Sequence, residues 1–239
     1  MTAVRMHSCS IHAGAVFKVP ILYWTAKVPS RFFRALYGSL NEMLLIQPSD
    51  LIAPAGVSLV DVSAGLRIFG GSNTLTLKAN ALIATFPNIT ADRMDFVNSV
   101  IFQSYEALRN EFNELEIKSI EANAGYHFEI TGEKKNAKDI LDAGRHTELE
   151  KRAENVRDAV VEPAMRFQIV GKDGKWSAKV TVEKSELVQN GVFLLREIIV
   201  SDLGDYNTTR QQFDLVERIE NMILELVGLN FEIEGSDAT

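Results

Sequence analysis

The sequence is short of the residues that usually give a site away. Its one cysteine, Cys9, cannot close a disulfide within the chain, so a reducing compartment is the default setting. No apolar run approaches the ~20 residues that a membrane-crossing helix requires. The longest near the start, Val19 to Trp24, contains Pro20, lies between Lys18 and Lys27, and is too short for a secretory core, so a cytoplasmic protein is expected. No strand pattern runs into the glycine-rich crossover of a dinucleotide-binding unit, and no serine stands in a nucleophile-elbow pattern. The stretch Gly171-Lys172-Asp173-Gly174-Lys175-Trp176 has too few residues between its glycines for a Walker A loop, and Trp176 follows the lysine; it reads as a hairpin turn. Basic residues are outnumbered, 25 Lys and Arg against 32 Asp and Glu, and the net charge of −7 disfavours binding to a phosphate backbone.

What remains is ordinary globular material. Hydrophobic residues make up 46% and charged residues 24% of 239 positions, enough apolar surface for one large domain or two smaller ones. Apolar spacing predicts a helix from Arg31 to Leu45 with Ser30 as its cap, its stripe formed by Phe33, Leu36, Tyr37, Leu40 and Leu44. Strands are predicted from Val57 to Phe69 and from Thr74 to Phe86, joined by the turn Gly70-Gly71-Ser72-Asn73. Pro87 ends the second strand, and Thr90 opens a long helix to about Phe112. A long strand follows from Leu115 to Ile130, then a polar stretch, then a helix from Glu148 to Val161. The last third carries strands at Met165–Val170, Trp176–Val182 and Val192–Val200, a helix at Thr209–Val227 with Phe213, Val216, Ile219 and Ile223 on its stripe, and a short strand at Phe231-Glu232-Ile233.

The expected class is α+β, with an antiparallel sheet and long helices on one face, because short glycine-rich turns can join only antiparallel strands. Shifting the sequence by about 116 positions without a gap lays helix on helix: Ser30 falls on His146, and Val97, Val100 and Leu108 fall on Phe213, Val216 and Leu224. Leu115-Glu116-Ile117 then falls on Phe231-Glu232-Ile233. Two pseudo-symmetric halves, each α-β-β-α-β, are expected, although Pro48 to Gly56 falls against the strand at Ala164 to Lys172. The corresponding division is an N-terminal segment over 1–29, read as an extension outside the fold, a first half over 30–130, a linker or mobile loop over 131–146 and a second half over 147–235; one continuous domain is the alternative.

Reactive candidates are few. His7, Cys9 and His12 resemble a metal clip but lack a fourth ligand, so neither metal nor cofactor is expected. His127 lies between Tyr126 and Phe128 on the long strand and faces away from both. It is the best placed acid or base, with Glu129 or Glu121 to orient it and Tyr126 and Arg67 as further site candidates. Lys134, Lys135 and Lys138, with Arg145, Lys151 and Arg152 beyond, read as a solvated face, being interrupted by carboxylates and lacking aromatics for stacking. Phe32, Phe96 and Phe102 lie off the helical stripes and fill a wide core or meet a partner. The leading functional expectation is a non-enzymatic binding or interaction module for a protein, a peptide or a small apolar ligand. The alternatives are an enzyme whose site is assembled around His127, and a structural subunit that forms homo-oligomers.

Overall fold

A computed structural model describes residues 2–56, 58, 61–69, 71–113, 115–131, 136–142, 162–203, 206 and 208–231. In chain order the elements are β1 (Thr2–Phe17), α1 (Lys27–Leu44), β2 (Leu51–Ala55), β3 (Ser63–Ile68), β4 (Asn73–Lys78), β5 (Ala81–Ile89), α2 (Met94–Glu111), β6 (Ile117–Ile130), α3 (Ala137–Leu141), β7 (Met165–Val170), β8 (Trp176–Lys184), β9 (Gly191–Val200), α4 (Thr209–Val227) and β10 (Leu229–Phe231). The strands form one sheet in the order β2-β3-β4-β5-β1-β6-β9-β8-β7. Neighbours on that path are antiparallel, and β10 adds to β1 in parallel. The class is therefore α+β with a large antiparallel sheet, and none of the described helices is long and apolar enough to cross a membrane.

Register explains which face holds the core. Side chains alternate across a strand, so residues paired across neighbouring strands share a face. One such row runs Leu66, Leu75, Ala84, Ala13, Ala122, Ile198, Ala178 and Ile169 from β3 to β7, and it is apolar throughout. The next row runs Arg67, Thr74, Thr85, His12, Asn123, Glu197, Lys179 and Gln168, and it is polar throughout. The apolar face packs against helices whose buried stripes include Phe32, Leu36 and Leu40 on α1, Val97, Val100 and Leu108 on α2, and Leu215, Ile219 and Ile223 on α4. Burying a single Leu or Phe side chain of this kind contributes about 1.5–3 kcal/mol.

The largest departure from the sequence reading is the N-terminal segment. Thr2–Phe17, expected as an extension, is the central strand, bonded to β5 on one edge and to β6 on the other. A bulge between Met6 and Ser8 shifts the inward phase from Val4 and Met6 to Cys9, Ile11 and Ala15, which hides the alternation. Helix α1 begins earlier than Ser30. Pro29 sits in its first turn, where a missing N–H costs nothing, and the Ser30 hydroxyl donates back to the Ala26 carbonyl at 3.0 Å. Its stripe is also rotated, with Phe32 fully buried and Tyr37 54% exposed. The strand expected over Thr74 to Phe86 is two strands, and Pro87 lies inside the second. The β1–β5 register shifts between Cys9 and Ile11, opposite Pro87 and Asn88, so the bulge absorbs the proline and lets Asn88 adopt φ 64°.

Within the span expected as a linker, Ala137–Leu141 forms α3, capped by Asn136 and with Ile140 and Leu141 buried. The helix expected over Glu148–Val161, the basic residues Lys134, Lys135, Arg145, Lys151 and Arg152, and His146 lie outside the described residues. Lys138 is exposed. The strand expected at Phe231 meets β10 only at that residue.

Because β1 bonds both halves of the sheet, deleting residues 2–17 is expected to abolish the cooperative melt rather than lower it. Far-ultraviolet circular dichroism against temperature checks this; a deleted chain that still melts cooperatively contradicts the central role of β1.

Candidate functional site

Helices α2 and α4 cross the apolar face above the central strands. Helix α4 is placed by strong local signals. The Thr208 hydroxyl accepts from the Gln211 amide at 3.2 Å, the Gln211 side chain accepts from the Thr208 amide at 3.1 Å, and Gly228 closes the helix at φ 78°. The two helices meet where the later half of α2 faces the start of α4. There the Tyr105 hydroxyl donates to the Gln212 side chain at 2.9 Å, Arg109 donates to Thr209 at 3.2 Å, and the Phe102 and Phe213 rings meet edge-on at 5.2 Å.

Beside that contact, with Phe102 and Phe213 on its wall, opens a cleft of about 490 Å³ that continues between Met94, Asn98 and Ile101 of α2 and Glu217, Asn221 and Leu224 of α4. Its floor includes Met6, Ala13 and Ala122. The alanines account for the space. Where β3, β4 and β9 bring Leu66, Leu75 and Ile198 to the apolar row, the middle strands bring Ala84, Ala13 and Ala122. On α4 Ile219 and Ile223 are buried as expected, but at its start Gln212 and Leu215 take the inward positions and leave Phe213 and Val216 half-buried on the cleft wall.

Beneath the cleft sits a buried polar cluster. Arg196 is 5% exposed although it occupies an inward position on β9 opposite Ala124. Its Nε donates to Glu220 Oε1 at 2.9 Å and its Nη2 to Oε2 at 3.0 Å, a two-pronged pair. Nη1 donates to the Ala122 carbonyl at 2.7 Å, and Nη2 also reaches the Tyr126 hydroxyl at 3.2 Å. That hydroxyl in turn donates to Glu220. Burial disfavours the charged guanidinium, but Glu220 and Tyr126 outweigh it and hold Arg196 above its ordinary value. Burial pushes the Tyr126 phenol well up, so it stays a donor. Burial likewise pushes up the Cys9 thiol, which lies opposite Tyr126, so it is not a ready nucleophile.

The residues singled out from sequence are not gathered. His127 lies on the opposite face, where its ring packs on Phe193 at 4.7 Å and Nδ1 is 2.9 Å from Ser185 Oγ. Since that oxygen accepts the Leu187 and Val188 amides at 3.2 and 3.0 Å, its own proton is free for His127 Nδ1. Glu129 is paired with Arg5 at 2.5 Å. Tyr126 belongs to the cluster beneath the cleft. Arg67 is on β3, four strands from β6 in the sheet order, about 19 Å at ~4.8 Å per strand. Glu121 pairs with Gly14 and Ile199. Cys9 faces the helices while His12 faces away and bonds Thr85 at 3.2 Å, so the His7-Cys9-His12 clip does not form, and among the described residues no group of three His, Cys, Asp or Glu stands together. Of the three phenylalanines, Phe32 is core, Phe96 packs on Phe69 at 5.5 Å, and Phe102 is on the cleft wall. Arg196, Glu220 and the alanine row escaped sequence reading; the only trace was a cation interrupting the Phe193-to-Val200 apolar run.

Two outcomes are expected. Replacing Glu220 by Leu strands a buried cation and lowers stability by about 3 kcal/mol, while Arg196→Met with Glu220→Leu recovers most of that loss; urea midpoints compare the two. Burial, then His7, holds His127 below its ordinary value, with Glu186 opposing. A base depressed in the folded state supplies its full contribution above its unfolded value and loses it as pH falls through the folded one. Stability therefore falls as pH drops through and below the ordinary histidine range, and His127→Gln makes that decline shallower in urea titrations at each pH.

No family model and no curated protein matches this chain.

Proposed function

We propose that this protein is a binding module whose ligand occupies the cleft between α2 and α4. The observation that carries this reading is the composition of the cleft: half-buried Ile101, Phe102, Phe213, Val216 and Leu224 on the walls, over alanines that leave the volume unfilled. A volume of about 490 Å³ is in the range of small-molecule sites, which are mainly apolar with a few fixed polar groups. The polar groups beneath it are committed to one another, with Arg196 bonded to Glu220, Ala122 and Tyr126, which suits orientation more than chemistry.

The same reading takes the chain as two related halves that meet at the cleft. Its support is the mirrored strand order, β3-β4-β5-β1 against β6-β9-β8-β7, and the spacing of equivalent elements. Strands β1 and β6 begin at Thr2 and Ile117, and helices α2 and α4 at Met94 and Thr209, both close to the ~116-residue shift read from apolar register. On this view the cleft lies where the halves join, a common position for a ligand.

The test is saturable binding of a neutral naphthylamine fluorophore to the intact protein. A rise in fluorescence is expected, weakened at least about tenfold by Val216→Trp, which fills the cleft without changing the melting temperature. Fluorescence that never saturates, or that is indifferent to the substitution, overturns the reading.

A further inference from the structure

We infer that the cleft selects a cationic amphiphile, a primary amine on an apolar body, with its ammonium group at Glu217. The inference rests on the binding-module reading and adds the chemistry of the head group. Five charged side chains line the cleft: Arg196, Arg210, Asp214, Glu217 and Glu220. Two pairs cancel, since Arg196 holds Glu220 at 2.9 Å and Arg210 holds Asp214 at 2.8 Å. Glu217 is left over, exposed on the cleft wall and with no cation partner among the described residues. The cleft therefore carries one uncompensated negative charge beside an apolar surface.

The arrangement on α4 aims that charge at a ligand. Glu217 and Glu220 stand three residues apart, on one face of the helix, and the Glu220 side chain is 25% exposed. Glu220 Oε1 already accepts from Arg196 and Tyr126, whereas Oε2 accepts once, from Arg196. A carboxylate oxygen has two lone pairs, so Oε2 retains acceptor capacity. Asn98 on α2 and Asn221 on α4, which also line the cleft, carry further side-chain carbonyls. An ammonium group brings three donors and no acceptor, which matches this set of acceptors. A carboxylate head meets Glu217 with like charge, and a hydroxyl leaves that charge uncompensated. The apolar body then lies among Ile101, Phe102, Phe213 and Val216.

Calorimetric titration of the full chain with decylamine, decanol and decanoate, below their aggregation limits, tests this. Decylamine is expected to bind about fivefold more tightly than decanol, with decanoate weakest, and Glu217→Gln is expected to erase the preference without weakening decanol. The preference is also expected to shrink in high salt. Equal binding of all three ligands, lost in Val216→Trp, overturns the head-group inference and leaves the cleft standing as a site. Absence of binding by any of them overturns both.

Discussion

The antiparallel seam between β1 and β6 is the constraint on which the remaining architecture depends. It runs from Val4–Ile130 to Phe17–Ile117 and joins the two flanks of the sheet into one hydrogen-bonded surface. Its register decides which residues face the helices. A slip of one residue would carry Ala13 to the open face and put His12 where the cleft floor lies. The bulge at His7 is part of the same specification, because it brings Cys9 opposite Tyr126 and so completes the packing around Arg196. The cleft is thus a property of strand pairing as much as of the helices above it.

The Arg196–Glu220 pair fixes α4 on that surface. Taking a guanidinium out of water costs several kcal/mol, and only good geometry with further hydrogen bonds offsets the loss. Both conditions hold: the carboxylate is bonded twice, and the Ala122 carbonyl and the Tyr126 hydroxyl occupy other positions. Such a pair adds little net stability over an apolar substitute, but it tolerates only one placement of the helix along the sheet. A floor of alanines would otherwise let α4 slide or settle and close the space. Elsewhere Arg31 and Arg34 converge on Glu111 at 3.1 and 2.5 Å and tie α1 to the end of α2, a more exposed counterpart of the same device.

Legibility in the sequence followed the locality of the signal. Helix α4 was readable from the apolar spacing within its own turns, and the hairpin between β7 and β8 because Gly171 to Lys175 holds its own turn. Strand β6 was readable from its alternation. Strand β1 was not, since its small and polar residues change phase at a bulge, and its partners lie 65 or more positions away. The expected stripes of α1 and α4 held at Leu36, Leu40, Ile219 and Ile223 but missed by one residue at Phe33, Phe213 and Val216, an error that local periodicity cannot correct when apolar residues such as Phe32 and Phe33, or Leu215 and Val216, stand side by side. The cluster beneath the cleft joins residues 9, 126 and 196 through the sheet register and residue 220 through the packing of α4, and no spacing rule links them.

The partners of β1 also set a timetable for assembly. The strand pairs with residues 81–89, 117–130 and 229–231, and with nothing nearer in the chain. Non-local pairings repay the entropy of loop closure only once distant segments arrive, so a fold centred on them forms slowly. During synthesis from the amino end, β1 is made before every strand it pairs with and waits for the last of them, β10. An apolar strand left in that position is open to other chains. Ser10 and His12 along β1 lower that hazard, which gives the unremarkable polar residues of its exposed side a role before the protein is folded at all.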